Sequence, residues 1–168
     1  MNTFYRYQES PIGRLLLVGD DAGLRQLLMD IPTEPWVIGE QWLAAETQLD
    51  TVCRQLDEYF AGRRQRFDLR LAPLGTAFQR SVWRGLLEIP FGQTWSYGQL
   101  ARHIGSPQAM RAVGAANGAN PIAVIQPCHR VIGSNGSLTG FSGGLERKTL
   151  LLELEGWQGV QQGALTLL

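Results

Sequence analysis

The first thirty residues run as short apolar stretches separated by turn-forming clusters. Phe4–Gln8, Arg14–Gly19 and Leu24–Met29 are rich in strand formers. Ser10-Pro11-Ile12-Gly13 and Asp20-Asp21-Ala22-Gly23 interrupt them with Pro, Gly and Asp, so the pattern predicts three antiparallel strands. Residues 31–39 contain two prolines and a glycine and read as a loop. From Glu40 to Ala61 the period lengthens. Trp42, Ala45, Leu49, Val52, Cys53, Leu56, Tyr59 and Phe60 fall on one broad stripe, which predicts a helix stopped by Gly62. Cys53 lies on that stripe and is expected in the core. Ala72-Pro73-Leu74-Gly75 is a candidate linker.

Beyond it the pattern is helical. Thr76-Ala77-Phe78-Gln79 has the capping-box form, and Phe78, Val82, Trp83, Leu86 and Leu87 supply the buried face of a helix ended by Ile89-Pro90-Phe91-Gly92. Ser96 caps a second, short helix over 97–104, which Gly105 breaks. Ser106-Pro107 then starts a third over 108–116. Two short helices about a glycine turn, the second rich in Ala and Gly, fit a helix-turn-helix. A short apolar run, 120–127, delivers Cys128 and His129, and Arg130–Ile132 looks strand-like. Residues 133–144 hold five glycines without the Gly-Lys-Ser/Thr of a phosphate loop. They read as a hairpin around Asn135-Gly136 and a pocket wall. A last helix over 145–155 is expected to present Leu150, Leu151 and Leu154 to the core.

With 168 residues and 44% hydrophobic composition, the chain can bury roughly 70% of its unfolded surface and build a core unaided. Fifteen cations balance fifteen acids, which excludes a wholesale basic coat and leaves room for a local basic face. Residues 1–77 carry eight arginines and eleven acids, a net of −3. Residues 78–168 carry six arginines and one lysine against four acids, a net of +3. Two cysteines and two histidines exclude a disulfide framework and leave no finger-type zinc site unless all four join. With no signal-like start and no long apolar run, the chain is expected to be cytoplasmic.

A cysteine beside a histidine raises the question of a nucleophile, because the thiolate is the reactive form and something must take its proton. On an extended strand Cys128 and His129 would point to opposite faces, so His129 need not touch Cys128 directly and a water could bridge them. An acid must then orient the histidine, and Glu153 or Glu155 at the end of the last helix could serve. On the dipeptide alone, a buried cysteine beside a satisfied core histidine is the better account of the pair.

The wider wording separates these readings. Pro127-Cys128-His129-Arg130-Val131 follows Asn120-Pro121 and precedes Phe141-Ser142-Gly143-Gly144. With Tyr97-Gly98-Gln99-Leu100-Ala101, Arg111-Ala112-Val113-Gly114 and Glu155-Gly156 in register, this stretch resembles the O6-alkylguanine-DNA alkyltransferases over about eighty residues. The N-terminal half is similar to that family's accessory domain in layout. The resemblance implies an α+β protein. Residues 1–75 would form an accessory domain with a three-stranded sheet and a helix in an RNase H-like layout. Residues 76–168 would form a mostly helical domain carrying the helix-turn-helix and the active-site loop.

It further implies that Cys128 accepts the alkyl group from O6 of guanine irreversibly. His129 would deprotonate Cys128 through a water, oriented by Glu155. Asn120 would brace the turn before the active-site strand. Tyr97 would promote nucleotide rotation and contact guanine N3, and Arg111 would enter the duplex in place of the extruded base. Ala112, Ala115, Ala116 and Gly118 would let the second helix approach the minor groove closely, with little sequence preference. Val131 and Ser142, with Phe141 as an aromatic wall, would meet the base, and Arg130 would either join them or form a structural ion pair. No cofactor and no metal are implied, since zinc-binding relatives need N-terminal ligands that residues 1–77 lack. The expected partners are double-stranded DNA and a flipped O6-alkylguanine. A monomer is expected in solution, with cooperative assembly on DNA left open. Three other readings would each leave a trace. A lesion sensor would replace the acceptor cysteine, a Cys-His hydrolase would turn over, and a helix-turn-helix regulator would be indifferent to Cys128→Ser.

Overall fold

The computed structural model describes residues 1–138 and 140–161, and divides into two compact units. Residues 1–74 with 121–123 form the first, and residues 75–120 with those from 124 onward form the second. Thr139 and residues 162–168, which the expected second domain includes, lie outside the described residues.

In the first unit β1 (Phe4–Gln8), β2 (Leu15–Asp20) and β3 (Gly23–Met29) form the expected antiparallel meander. Leu15, Leu16, Leu17 and Val18 are all buried, as befits the central strand β2. The sheet has a fourth strand that the pattern did not predict: β4 (Leu43–Ala44) runs parallel to β1, in the order β3-β2-β1-β4. That strand shortens the expected helix, because α1 spans Asp50–Phe60 only. The backbone of β1 needs edge partners. Leu43 N–H donates to the Thr3 carbonyl at 2.8 Å and Ala45 N–H to that of Tyr5 at 2.9 Å. Trp42 packs near the Tyr5 ring instead of on a helix stripe. Gly62 ends α1 as expected. At φ 76° it sits in the left-handed region, and the Gly62 and Arg63 N–H groups cap the carbonyls of Tyr59 and Glu58. The outer edge of β3 is covered by two segments: Leu24 pairs with Arg70 and Ala72, and Leu27 with Pro121 and Ala123. Cys53 is buried on α1.

The second unit is helical. Its elements are α2 (Ala77–Leu86), β5 (Trp95–Ser96), α3 (Tyr97–His103), α4 (Met110–Gly118), a 3₁₀ turn (Cys128–Arg130), β6 (Val131–Ile132), α5 (Leu145–Leu154) and α6 (Gln158–Gln161). Thr76 with Gln79 and Ser96 with Gln99 form complete capping boxes. The core joins Val82, Trp83 and Leu86 of α2 to Leu100, Ala101, Val113, Ala116 and Val131. Trp83 Nε1 donates to the Ala116 carbonyl at 2.9 Å and locks α2 to α4. At Gly85 a Cβ would lie 2.8 Å from the Ile104 side chain, so only glycine lets α2 and α3 pack this closely.

The turn between α3 and α4 is built by Gly105, at φ 79°. Gly105 and Ser106 N–H groups close on the Arg102 and Ala101 carbonyls. The third helix starts later than the sequence predicts. Pro107 occupies the second position of a turn closed by Ala109 N–H on the Ser106 carbonyl at 2.9 Å, so α4 begins at Met110. Around Asn135-Gly136 there is a tight turn, closed by Gly136 N–H on the Gly133 carbonyl and Gly133 N–H on that of Ser137, but the strand before it, β6, pairs with β5 and makes no hairpin. On α5, Lys148, Leu151 and Leu152 are buried while Leu150 is exposed and Leu154 half-buried, which rotates the inward face by about one residue from the expected one.

Candidate active site

Cys128 and His129 stand on a 3₁₀ turn, where an extended strand was expected. The reason is local: Cys128 N–H closes on the Gln126 carbonyl at 2.8 Å and Arg130 N–H on that of Pro127 at 2.9 Å. The chain becomes extended only at Val131, where β6 gains β5 as a parallel partner through Trp95↔Val131 and Ser96↔Ile132. That pairing sets Tyr97, the first residue of α3, beside the end of the cysteine turn. Upstream, Asn120 Nδ2 donates to the Gln126 carbonyl and Gln126 Nε2 to Asn120 Oδ1, both at 2.7 Å. This closed pair holds the approach to the turn, with Val124 between them at φ 70°, a costly conformation for a β-branched residue.

Behind the cysteine lies a buried charged cluster. His129 Nε2 is 2.8 Å from Glu155 Oε2. Arg130 Nε donates to Glu155 Oε1 at 2.8 Å and its Nη2 to Oε2 at 3.0 Å. Arg130 Nη1 also donates to the Ile89 carbonyl at 2.7 Å. Burial alone would raise the Glu155 carboxyl, but the charge and hydrogen bonds of His129 and Arg130 hold it well below the usual carboxylate range. Arg130 is a permanent cation, so the carboxylate stays ionised whichever form His129 takes. Burial pulls the His129 imidazole down, against the opposing pull of Glu155. A neutral ring whose Nε2–H donates to Glu155 leaves Nδ1 as the basic nitrogen, and buried Nδ1 has no hydrogen-bond partner.

Cys128 is 6% exposed. Burial pushes its thiol up, while a hydrogen bond from Asn120 and the charge of Lys148 work the other way. Lys148 is a residue the sequence reading missed. Fully buried on α5, it donates from Nζ to the Val131 carbonyl at 2.7 Å and lies 5.9 Å from the centre of the Phe141 ring. Burial lowers its ammonium to about 8. Its signal was present in the chain: the only lysine, spaced three and four residues from Leu145 and Leu152 on an apolar face. Gln126 was missed too, and only its pairing with Asn120 reveals it.

Two cavities open near this cluster. One, of about 720 Å³, is lined by residues including Tyr97, Arg102, Met110, Arg111 and Gly140. The other, of about 580 Å³, is lined among others by Gly118, Gly140, Phe141 and Ser142. Cys128 lines neither; it packs in the core with Tyr97 and Phe141 at the edge of its cluster. Arg111, Ala112, Ala115 and Gly118 are exposed along α4. Ala116 is not, and its side chain is buried in the core where the sequence reading placed it against DNA. Helical geometry decides this, since Val113, Ala116 and Asn117 form the inward face of α4. Arg130 is also withdrawn from the expected base-contacting set, its guanidinium being fully engaged by Glu155 and Ile89. Among the described residues no group of three or more His, Cys, Asp or Glu could hold a metal ion, and no helix is long and apolar enough to cross a membrane.

In the second unit a helix-turn-helix thus stands beside a buried cysteine that the His129–Glu155 contact directly follows. The chain belongs to the 6-O-methylguanine DNA methyltransferase family. Residues 77–157 match its DNA binding domain and residues 3–73 its ribonuclease-like domain. The methylated-DNA–protein-cysteine methyltransferase of Methanosarcina acetivorans is 50% identical over 153 residues, covering 91% of this chain and 98% of that one. The Mycobacterium leprae protein of the same name is 50% identical over 151 residues, 89% of this chain and 90% of its own. The crystal structure of Mycobacterium tuberculosis OGT in complex with DNA superposes with a TM-score of 0.83 at 49% identity, covering 90% of this chain and 92% of that one.

Proposed function

We propose that this chain repairs alkylated DNA by taking a methyl or larger alkyl group from O6 of guanine onto Cys128. The observation that carries the proposal is the buried His129–Glu155 contact of 2.8 Å immediately after a cysteine that Asn120 hydrogen-bonds. Neutral His129 takes the thiol proton through a bridging water. The thiolate attacks the alkyl carbon, the S–C bond forms as the C–O6 bond breaks, and the electron pair passes to the guanine ring, which takes up one proton in place of the one that His129 and the water drew from the thiol. A thioether cannot be hydrolysed as a thioester can, so each molecule acts once. No cofactor enters this balance.

Tyr97 and Arg111 serve extrusion of the base. Chemistry on a base requires it out of the stack, at a cost of a few kcal/mol. Arg111 fills the place left behind, and Tyr97 crowds the target nucleotide and contacts N3. Exposed Ala112, Ala115 and Gly118 on α4 let the helix approach the minor groove, where sequence information is poor. Main-chain groups at Ser142 and Val131 meet the base edge against Phe141. The second unit is thus the DNA-binding and acceptor domain and the first an accessory one. A chain with no net charge binds DNA with moderate, salt-sensitive affinity. A monomer in the cytoplasm, where thiols stay reduced, suits this activity.

The test is intact-mass spectrometry after mixing with a duplex containing O6-methylguanine, with Cys128→Ser in parallel. The expected result is a stoichiometric gain of one methylene unit, absent in the variant and mapped to the Cys128 peptide. Tight lesion binding without a mass change would overturn the transfer reading.

A further inference from the structure

Leu87, Met110 and Leu150 are the large apolar side chains left exposed in the second unit among its described residues. Of the three, Met110 lines the cavity of about 720 Å³ that Tyr97 and Arg111 share. It is 53% exposed and opens α4, immediately before Arg111. A Cβ built on Gly98 would stand 3.5 Å from Met110 Sδ, so the thioether lies over the start of α3, next to Tyr97. Glycine at 98 leaves room there for the side chain to shift.

This location pairs an uncharged, unbranched side chain with a cation at the same cavity. Arg111 suits phosphates and base edges by charge and hydrogen bonding. Met110 can do neither; a flexible, polarizable thioether suits the faces of aromatic rings. Apolar side chains of this type, methionine among them, are the wedges that enter between base steps from the minor groove and unstack them.

We infer that Met110 is an apolar wedge that packs against the base pair beside the extruded nucleotide while Arg111 occupies the vacated place. The inference rests on the base-extrusion reading above. Met110 therefore acts on unstacking of the duplex and has no part in the bond-making step at Cys128. It is a positioning residue, and its loss is felt only where there is a stack to open.

The experiment compares wild type, Met110→Ala and Met110→Leu in single-turnover alkylation. Two substrates are used, the free base O6-benzylguanine and a duplex oligonucleotide carrying O6-methylguanine. Met110→Ala is expected to slow transfer from the duplex about tenfold, the rate equivalent of roughly 1.4 kcal/mol. Its reaction with the free base should match wild type within about twofold, given that the acceptor site is intact, and Met110→Leu should restore the duplex rate because leucine keeps the apolar bulk. Equal slowing on both substrates would make Met110 a wall of the base pocket or a structural residue, and an unchanged duplex rate would leave it without a role; either overturns the inference. Wild type that reacts with the free base but not with the duplex would overturn the extrusion reading itself, whatever the variants do.

Discussion

His129 and Glu155 meet at 2.8 Å although 26 residues separate them, and neither side chain is exposed to solvent. The contact joins the cysteine turn to the residue that caps the C-terminus of α5. Arg130 grips the same carboxylate with two more hydrogen bonds. One carboxylate therefore does two things: it orients a base and neutralises a buried guanidinium.

Replacing Glu155 with Gln separates these roles from the fold. The variant leaves Arg130 buried without its counter-charge, which costs about 3–5 kcal/mol for a buried pair. Urea denaturation should register that loss at neutral pH. Glu155 titrates below its ordinary value of 4.5, so its stabilisation is fully present above that pH and is lost as pH falls through the folded-state value. The gap between wild type and variant should accordingly narrow on acidification below about pH 4.5.

The rate of transfer should hold up in mild acid. Burial disfavours the imidazolium and lowers His129 from its ordinary 6.5, so more than half the molecules keep a neutral base at that pH. Single-turnover rates measured from pH 5 to 8 should give an acid midpoint below 6.5. A midpoint above it would mean that Glu155 outweighs burial.

Lys148→Met removes the buried cation that favours the Cys128 thiolate and the Nζ hydrogen bond to the Val131 carbonyl. The thiol should then ionise at higher pH, and the rate profile should shift to the basic side with a several-fold loss at neutral pH. Iodoacetamide labelling of Cys128 against pH reads the thiolate directly and should shift in the same direction.

Gly140 has φ 64°, and a Cβ there would stand 3.1 Å from the Tyr97 hydroxyl oxygen. Gly140→Ala should strain the loop and displace the tyrosine tip, at a stability cost of about 1 kcal/mol. Thermal denaturation should show the small loss, while transfer from duplex O6-methylguanine falls by more than the stability change alone explains.

Local chemistry made much of this protein legible in its sequence. The strands β1 to β3, the capping boxes at Thr76 and Ser96, and the glycine stops at Gly62 and Gly105 are set by neighbours within a few residues, which is what sequence patterns record. Cys128, His129 and Glu155 could be named because their wording resembles a family; composition and spacing left Glu153 equally eligible. Only the tertiary structure decided the rest. Trp42 and Ala45 match a helical stripe, but the open edge of β1 draws that backbone into a strand pair. Ala116 matches a small-residue face, but α4 turns the face it shares with Val113 into the core that Trp83 and Leu86 build. Lys148 looks like a surface cation until burial and the Val131 carbonyl claim it. In each case the deciding partner is far along the chain, and a local pattern holds no information about which distant backbone group or charge will need satisfying.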